Sequence, residues 1–206
     1  MTEINRPNII VFDVGRVLVR WDPDRLYARL IPDPTERHAF FDRVGLEAMN
    51  ADADRYGSLK AHVTSLAERF PSDAALILPW WHQWGEMCWD DIPETARILR
   101  AVRGAGWPAW ALSNFASDTF AIAQKRFPVL TEFDGLVVSG DEQTIKPESE
   151  IYEILEKRSG FSGADVFFID DKAENIAAAR DRGWQTHLFD DPAELAVDLR
   201  RFGIEI

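Results

Sequence analysis

Residues able to take part in catalysis stand at four points of the sequence, each at the end of a predicted strand or the start of a predicted helix. Two of these points follow apolar runs, at 9–12 and 166–169, that are typical of buried strands. Polar groups at the carboxyl ends of such strands meet where open α/β sheets bind ligands. The sequence therefore predicts one site that contains Asp13, Ser113, Lys146, Asp170 and Asp171.

The acidic members of this group need a counter-charge. Two or three carboxylates in one crevice repel one another unless a cation neutralises them, and oxygen ligands with room for water suit Mg²⁺. Beside the metal a carboxylate such as Asp13 can attack phosphorus, while the hydroxyl of Ser113 and the ammonium of Lys146 neutralise the transition state. Asp13 taken alone could equally cap a turn. The combination favours phosphoryl transfer through an aspartyl phosphate.

The rest of the chain is organised to position these groups. After residue 91, helical and strand patterns alternate, with strand patterns at 107–114, 135–140, 164–171 and 184–189. Alternation of this kind predicts a parallel sheet with helices on both faces. We therefore expect an α/β fold, a Rossmann-like three-layer parallel sheet whose strands take the order 3-2-1-4-5.

Between the first strand and the second lies a stretch in which only helical patterns occur, as far as about residue 91. It is too long for an ordinary crossover connection and has no segment with the pattern of a buried strand. We expect a helical cap domain over 21–91, inserted into a Rossmann-like core domain of residues 1–20 and 92–206, with a short hairpin arm at 17–19. Four tryptophans at helical spacings are expected to pack in the cap or against the core: Trp80, Trp81, Trp84 and Trp89.

The bulk properties limit the possible partners. The chain has 206 residues and a net charge of −12, which would repel a nucleic-acid backbone. Cys88 is the sole cysteine, so an internal disulfide is excluded, and it has no evident base for a nucleophilic role. The sequence contains no signal peptide or membrane-spanning pattern, so we expect a cytoplasmic protein without membrane association. The oligomeric state stays open.

Four short motifs occur in a familiar order: FDVGRV at 12–17, LSN at 112–114, KP at 146–147 and FIDDKAEN at 168–175. Together they resemble the four motifs of the haloacid dehalogenase-like (HAD) superfamily, and the helical insertion stands in the position of its C1-type cap. The resemblance covers nearly the whole chain. The first motif is also similar to that of bacterial sugar-phosphate phosphatases and of the N-terminal domain of soluble epoxide hydrolase.

The resemblance implies a function for each motif residue. Asp13 would be the nucleophile and a metal ligand, and Ser113, Asn114 and Lys146 would contact the phosphate, with Lys146 as the charge clamp. The remaining metal ligands would be the backbone carbonyl of Gly15 and the carboxylates of Asp170 and Asp171. Arg16, three residues past the nucleophile, is a further candidate for phosphate binding.

One position departs from the pattern of most phosphatases of the superfamily. They carry a second aspartate two residues after the nucleophile, which protonates the leaving oxygen; here that position is Gly15. General acid catalysis contributes roughly 10² to 10⁴ in rate, so its loss should matter most for poor leaving groups. Gly15 would therefore select substrates with good leaving groups or leave proton transfer to water or a cap residue. His82 is one candidate, although a histidine in an apolar helix is more often packed.

The function expected from these observations is a HAD-like hydrolase, a Mg²⁺-dependent phosphatase that acts on a small phosphorylated metabolite through an aspartyl phosphate. Two alternatives stay open. A 2-haloacid dehalogenase uses the same aspartate on carbon without a metal and also lacks the second aspartate, but the pair at 170–171 would obstruct its anionic substrate. A non-catalytic, switch-like aspartyl-phosphate module is the other, and a cap argues against it because lids suit turnover sites.

Overall fold

The computed structural model describes residues 6–206, and within them the chain forms seven strands. In chain order they are β1 (Ile9–Phe12), β2 (Val19–Trp21), β3 (Cys88–Asp91), β4 (Ala109–Ser113), β5 (Gly135–Val138), β6 (Val166–Asp170) and β7 (Gln185–Leu188). Five of them form a parallel sheet in the order β5-β4-β1-β6-β7. Numbered among themselves, these strands have the order 3-2-1-4-5, as predicted.

The helices divide into those before and after β3. Before it come α1 (Asp24–Leu30), α2 (Pro34–Val44), α3 (Leu46–Tyr56), α4 (Leu59–Arg69), α5 (Ala74–Ile77), α6 (Pro79–His82) and α7 (Trp84–Met87). After it come α8 (Pro93–Gly104), α9 (Ser117–Arg126), α10 (Ser139–Glu142), α11 (Ser149–Ser159), α12 (Ala173–Asp181) and α13 (Pro192–Arg200), with 3-10 turns at Pro128–Thr131 and Gly163–Asp165. In the described part of the chain, no helix is both long and apolar enough to cross a membrane.

The central strand β1 is buried on both faces, which explains its uninterrupted apolar sequence. Ile9 and Val11 belong to a core cluster with residues of α11 and α12, whereas Ile10 and Phe12 belong to a second cluster with residues of α8 and α13. Successive side chains alternate between the faces of a strand. The result is the predicted three-layer α/β fold, and β1 and β6 run side by side so that Asp13 and Asp170 emerge at the same edge.

The helices from 24 to 87, hereafter the helical segment, enter and leave through a small antiparallel sheet of β2 and β3. Two details of the sequence interpretation were wrong here. Cys88–Asp91 is a strand rather than the end of a helix, and the arm expected at 17–19 lies instead at Val19–Trp21. The two strands pair across the ends of an insertion of more than sixty residues, a contact that local periodicity does not contain.

The stretch from 74 to 87, which has one continuous helical pattern in the sequence, folds as three four-residue helices. Pro79 stands at the first position of α6, where its missing N–H is tolerated, and it cannot continue α5 because its ring excludes an interior helical position. A second break follows at Gln83. The breaks turn the chain so that Trp80 and Trp84 are both buried, at 2% and 4% exposure, as predicted for packing tryptophans.

The end of α3 meets the core in a close contact of two glycines, hereafter the seam. A Cβ on Gly57 would lie 2.8 Å from the carbonyl oxygen of Gly140, and one on Gly140 would lie 2.9 Å from Cα of Gly57. Beside this contact the Ser139 hydroxyl donates to the Asp54 carbonyl oxygen at 2.6 Å. Asp118 accepts from the Leu59 amide at 3.0 Å and so caps the first turn of α4 from another element. The seam therefore fixes α3 and α4 over the carboxyl ends of the strands.

Substitution of Gly57 by alanine should test how tightly the seam is packed. Gly45 provides a matched control, since both glycines end a helix with positive φ, at +90° and +75°, but no described atom lies within 4 Å of a Cβ at Gly45. Gly45→Ala should cost about 1–2 kcal/mol from the left-handed conformation alone. Gly57→Ala should cost about 1–3 kcal/mol more because of overpacking. Urea unfolding measures both, and equal losses would show that the seam yields without strain.

Candidate active site

The site is centred on Lys146, whose ammonium group lies between two carboxylates. Its Nζ donates to Asp13 Oδ1 at 2.8 Å, to Asp170 Oδ2 at 2.7 Å and to the Leu112 carbonyl oxygen at 2.7 Å. All three donor positions of the ammonium are therefore used. Lys146, Asp13 and Asp170 are 3%, 7% and 0% exposed, so this is a buried ion-pair cluster rather than a surface one. The ends of β1 and β6 and the loop before α11 thus bring three of the predicted residues, Asp13, Asp170 and Lys146, into direct contact.

The Lys146 backbone is held by Asn114, which follows β4. The Asn114 side chain donates to the Lys146 carbonyl oxygen at 2.9 Å and accepts from the Lys146 amide at 2.8 Å. The peptide bond between Lys146 and Pro147 is cis. Two opposed hydrogen bonds from one amide fix the loop in register with the end of β4. Asn114 thus positions the lysine, a task that the sequence interpretation did not foresee.

Asp170 is oriented from the other side by the start of α12. Its Oδ1 accepts from the Lys172 backbone amide at 2.8 Å, and both its oxygens lie within 3.0 Å of the Asn175 side-chain amide nitrogen. Asn175 is 2% exposed and was not predicted as a site residue. Its position one turn into the helix after the acidic pair is the signal that could have identified it. These contacts, with the one from Lys146, leave both oxygens of the buried Asp170 carboxylate hydrogen-bonded.

A third carboxylate completes the cluster. One oxygen from each of Asp13, Asp170 and Asp171 lies within 4.8 Å of the others. Arg16 approaches Asp171 at 3.9 Å, and its backbone takes the left-handed conformation with φ of 60°, which non-glycine residues seldom adopt. With the three acids ionised and Lys146 protonated, the cluster carries a net charge of −2, which the exposed Arg16 guanidinium offsets only in part. This is the environment that a divalent cation would stabilise.

Burial and neighbouring charges shift the pKa values of the residues in this cluster. Burial raises the pKa of Asp13 to about 6, against an opposing effect of the Lys146 ammonium. Burial and the neighbouring Asp170 charge raise the pKa of Asp171 above its usual value. Burial alone would lower the pKa of Lys146, but the carboxylates of Asp13 and Asp170 outweigh it and raise that pKa. Lys146 therefore remains a cation, and the acids resist ionising together.

Gly15 leaves open space beside the nucleophile candidate. No described atom lies within 4 Å of a Cβ built on it, and its φ is not in the left-handed region. Neither backbone conformation nor crowding therefore requires glycine at this position. A side chain there would project into the space beside Asp13, where most phosphatases of the superfamily carry their second aspartate.

A cavity of about 530 Å³ lies between this edge of the sheet and the helical segment. Asp13, Gly15, Arg16, Lys146 and Asp171 line its polar end, together with Asn114. Apolar lining residues come from the helical segment, from β2 and from the strand-end loops: Trp21, Leu59, Trp80, Trp84, Phe115 and Ile145. Polar residues of α3, namely Glu47, Asn50 and Asp54, also line the cavity, so it combines apolar surface with converging polar groups, as small-molecule sites usually do.

Two further polar residues, Ser113 and Asp54, belong to the surroundings of the site. Ser113 is 1% exposed, and its hydroxyl has no hydrogen-bond partner among residues 6–206, although buried hydroxyls normally have one. Asp54, on α3, lines the cavity and was not predicted, because it lies 41 residues from Asp13 in a helix with no motif. His82 is exposed and does not line the described cavity.

A family model described as haloacid dehalogenase-like hydrolase matches residues 8–183. The chain belongs to this family. Membership makes the protein a HAD hydrolase, and the matched range contains all the motif residues that form the cluster around Lys146.

Curated HAD relatives have two kinds of chemistry. Sesquiterpene phosphatase of Aspergillus oryzae is 30% identical over 104 residues, which are 50% of this chain and 53% of that protein. An (S)-2-haloacid dehalogenase of Pseudomonas fluorescens is 31% identical over 91 residues, 44% of this chain and 40% of the dehalogenase. The matches thus span about half or less of these relatives. Both names denote hydrolases, and they leave the substrate class of this chain unresolved.

Solved structures of HAD enzymes share the fold of this chain. A HAD family enzyme of Bacteroides thetaiotaomicron, in complex with magnesium and inorganic phosphate, is similar with a TM-score of 0.69 and 20% identity, over 92% of this chain and 98% of that one. An L-2-haloacid dehalogenase of Xanthobacter autotrophicus with covalently bound chloropropionic acid has a TM-score of 0.64 and 18% identity, over 97% and 85%. At these identities the likeness shows the common fold alone.

Proposed function

We propose that the protein is a Mg²⁺-dependent phosphatase that transfers the phosphoryl group of a small organic phosphate to Asp13 and then to water. The observation that carries this proposal is the cluster of Asp13, Asp170 and Asp171, the first two buried, in which Lys146 neutralises one charge and the exposed Arg16 approaches Asp171 only to 3.9 Å. A dehalogenase needs no such surplus of negative charge beside its nucleophile. A metal-assisted phosphoryl transfer does.

The donor set fits magnesium in chemistry as well as in charge. Asp13, Asp170 and Asp171 would supply carboxylate oxygens, and Gly15 would supply its backbone carbonyl, all hard oxygen ligands. When bound there, Mg²⁺ would offset the charge of the acids and of the phosphoryl oxygens. A magnesium and phosphate complex in a structural relative supports the same metal.

The chain's own residues would then divide the chemistry. Asp13 would attack phosphorus with Oδ2, since Oδ1 already accepts from Lys146. Lys146, through its charge, and the hydroxyl of Ser113, which has no partner among residues 6–206, would neutralise the phosphoryl oxygens, with Asn114 holding the lysine in place. The exposed guanidinium of Arg16 would reach the phosphate from the mouth of the cavity. Water attack on the aspartyl phosphate would restore Asp13.

The substrate would lie under the helical segment, which we propose as a cap domain over 21–91 on a core of 1–20 and 92–206. Its aromatic wall, including Trp80 and Trp84, fits an organic group with apolar surface better than a bare sugar. The similarity to a sesquiterpene phosphatase agrees with such a substrate class. The cap would exclude water from the acidic site during the first step.

A second candidate is 2-haloacid dehalogenation. Gly15 favours it, because dehalogenases of the superfamily also lack an acid there, and dehalogenases occur among both the sequence relatives and the structural neighbours. The acid pair at 170–171 disfavours it, since an anionic haloacid would meet uncompensated negative charge.

A substrate panel with and without Mg²⁺ should distinguish these functions. We expect hydrolysis of p-nitrophenyl phosphate and of at least one monophosphate, with a prenyl monophosphate preferred over glucose 1-phosphate, and no chloride release from 2-chloropropionate. Chelation by EDTA should remove at least about 99% of the rate, because metal stabilisation of phosphoryl transfer is worth several kcal/mol. Phosphate and chloride release are the two measurements.

The other outcomes would identify the alternatives. Chloride release that EDTA does not affect would establish the dehalogenase and exclude the phosphatase. A single round of phosphorylation by acetyl phosphate, without turnover, would identify the switch-like module instead. Readdition of Mg²⁺ after EDTA controls for loss of folded protein, since the rate should return.

A further inference from the structure

The proposed phosphatase needs a proton donor for the leaving oxygen, and Gly15 cannot supply one. We propose that Asp54, on α3 of the helical segment, acts as the general acid and base of this site. The inference rests on the proposed phosphatase function and deepens it, since it places the proton-transfer group on the helical segment instead of beside the nucleophile. Four observations support it: position, orientation, electrostatics and the lack of a better-placed group.

Asp54 faces the reacting groups across one cavity. It lines the same cavity as Asp13, Gly15 and Lys146. The residue is half-buried, so it has access to a bound ligand without facing bulk solvent fully. A proton donor here would approach the leaving oxygen from α3 of the helical segment rather than from the strand ends.

The carboxyl group is held in a single orientation. Its Oδ1 accepts from the Ala116 backbone amide at 3.0 Å, and its Oδ2 accepts from the Asn50 side chain at 3.0 Å. The Asn50 amide cannot turn round, because its Oδ1 accepts from the indole N–H of Trp80 at 3.0 Å, and an indole can only donate. Each carboxyl oxygen retains capacity for one further hydrogen bond. Asp54 is thus pre-oriented by groups that are not metal ligands.

The electrostatic environment keeps this carboxyl protonated at neutral pH. Burial raises the pKa of Asp54 to about 8, and the charges of Asp13 and Asp118 add to the effect. The Ala116 amide and the Lys172 ammonium oppose it. A general acid works best when its pKa lies near the operating pH. The group therefore holds a proton to give and can take one back.

The two half-reactions balance with Asp54 in this function. In the first, an Asp13 oxygen forms a bond to phosphorus, the bond from phosphorus to the leaving oxygen breaks, and that oxygen takes the Asp54 proton to become an alcohol. In the second, Asp54 as carboxylate takes a proton from water while the water oxygen attacks phosphorus. The bond between phosphorus and Asp13 breaks, inorganic phosphate leaves, and both aspartates return to their starting states.

Other titratable groups near the cavity are less well placed. Glu47 also lines the cavity but is exposed to solvent. His82 is exposed as well and does not line the described cavity. The Cys88 thiol lines it, but burial raises its pKa to about 12, so it is a weak acid at neutral pH. Of these four groups, Asp54 combines access to the cavity with fixed geometry.

The test is the dependence of rate on the leaving group. Asp54→Asn retains an oxygen for the Ala116 amide but loses the acceptor for the Asn50 side chain, so thermal unfolding of the variant is measured beside its rates. With Mg²⁺ present, we expect kcat/KM for an alkyl phosphate to fall by about 10²–10⁴, the usual contribution of general acid catalysis. The value for p-nitrophenyl phosphate should change little, because p-nitrophenolate leaves without a proton. A purely structural function would lower both rates equally.

Asp52→Asn is the matched control, since it removes an exposed carboxylate from the same helix. It should leave the leaving-group dependence unchanged. The wild-type protein offers a test without substitution: between about pH 6.5 and about pH 9.5 its rate on the alkyl phosphate should fall relative to p-nitrophenyl phosphate, as Asp54 loses its proton.

Failure of the phosphatase proposal and failure of the Asp54 inference would give different results. Wild-type protein that hydrolyses no phosphate monoester with Mg²⁺ would overturn the phosphatase function together with this inference. Hydrolysis by the wild type, with equal effects of Asp54→Asn on alkyl and aryl substrates or with no pH-dependent change in their ratio, would overturn the Asp54 inference alone. A steeper leaving-group dependence in the Asp54 variant than in the Asp52 variant would support it.

Discussion

Replacement of Asp13 by asparagine should lower kcat on any hydrolysed substrate by at least about 10⁴, as expected when the covalent nucleophile is lost. Asparagine keeps the shape and one oxygen for contact with Lys146, but its amide cannot form the acyl phosphate. Because burial raises the pKa of Asp13, the neutral side chain should leave the metal-free fold at least as stable. Steady-state rates and thermal unfolding measure the two effects.

Asp190→Asn is the control for this substitution, because Asp190 also follows a sheet strand, β7, but is exposed. It should retain full activity. Rapid quenching with radiolabelled substrate should trap a phosphoprotein in the wild type and none in the Asp13 variant. If the Asp13 variant kept more than about a tenth of the activity, or still formed the phosphoprotein, another residue would be the nucleophile.

Substitution of Lys146 by methionine should have the largest effect on stability. The ammonium makes contacts of 2.7–2.8 Å with Asp13, Asp170 and the Leu112 carbonyl, and its side chain is 1% exposed. Its removal leaves buried acids without their counter-charge. We expect a loss of about 3–5 kcal/mol in the free energy of unfolding without metal, the usual cost of breaking a buried pair. Activity should be lost as well.

The dependence of this stability loss on pH and on Mg²⁺ should distinguish the lost charge from the lost packing of the side chain. The penalty should be larger at pH 8 than at pH 5, because Asp13, with its raised pKa, is largely ionised only at the higher pH. Mg²⁺ should restore part of the stability. Lys172→Met, which removes an exposed ammonium close to the site, is the control and should cost less than about 1 kcal/mol. A pH-independent loss in the Lys146 variant would indicate packing alone.

The sequence predicted the sheet and its acidic edge because both follow from local patterns. A short apolar run such as 9–12 is typical of a strand buried on two faces, and the side chain after it emerges at the strand's end. Asp13 and Asp170 are therefore placed by the same feature that places the strands. The alternation of elements, with short connections, then determined which strand ends meet.

The rest of the site depends on contacts between distant parts of the chain. Asp54 and Asn50 lie in an amphipathic helix where a polar residue facing a cavity looks like one facing solvent. Cys88–Asp91 becomes a strand only because Val19–Trp21 lies beside it. Asn114 resembles a ligand contact in the motif, yet its side chain is occupied by the Lys146 backbone. Local periodicity contains none of these pairings.

The glycine contact between α3 and α10 limits how substrates can come and go. A lid that swung clear would have to separate Gly57 from Gly140 and rupture the bonds from Ser139 and to Asp118 in every catalytic cycle. We expect the helices to stay docked. Substrate would then enter, and product would leave, past exposed side chains, chiefly the arginine at position 16. Product escape would then be paced by rotamer motion rather than by a swinging domain.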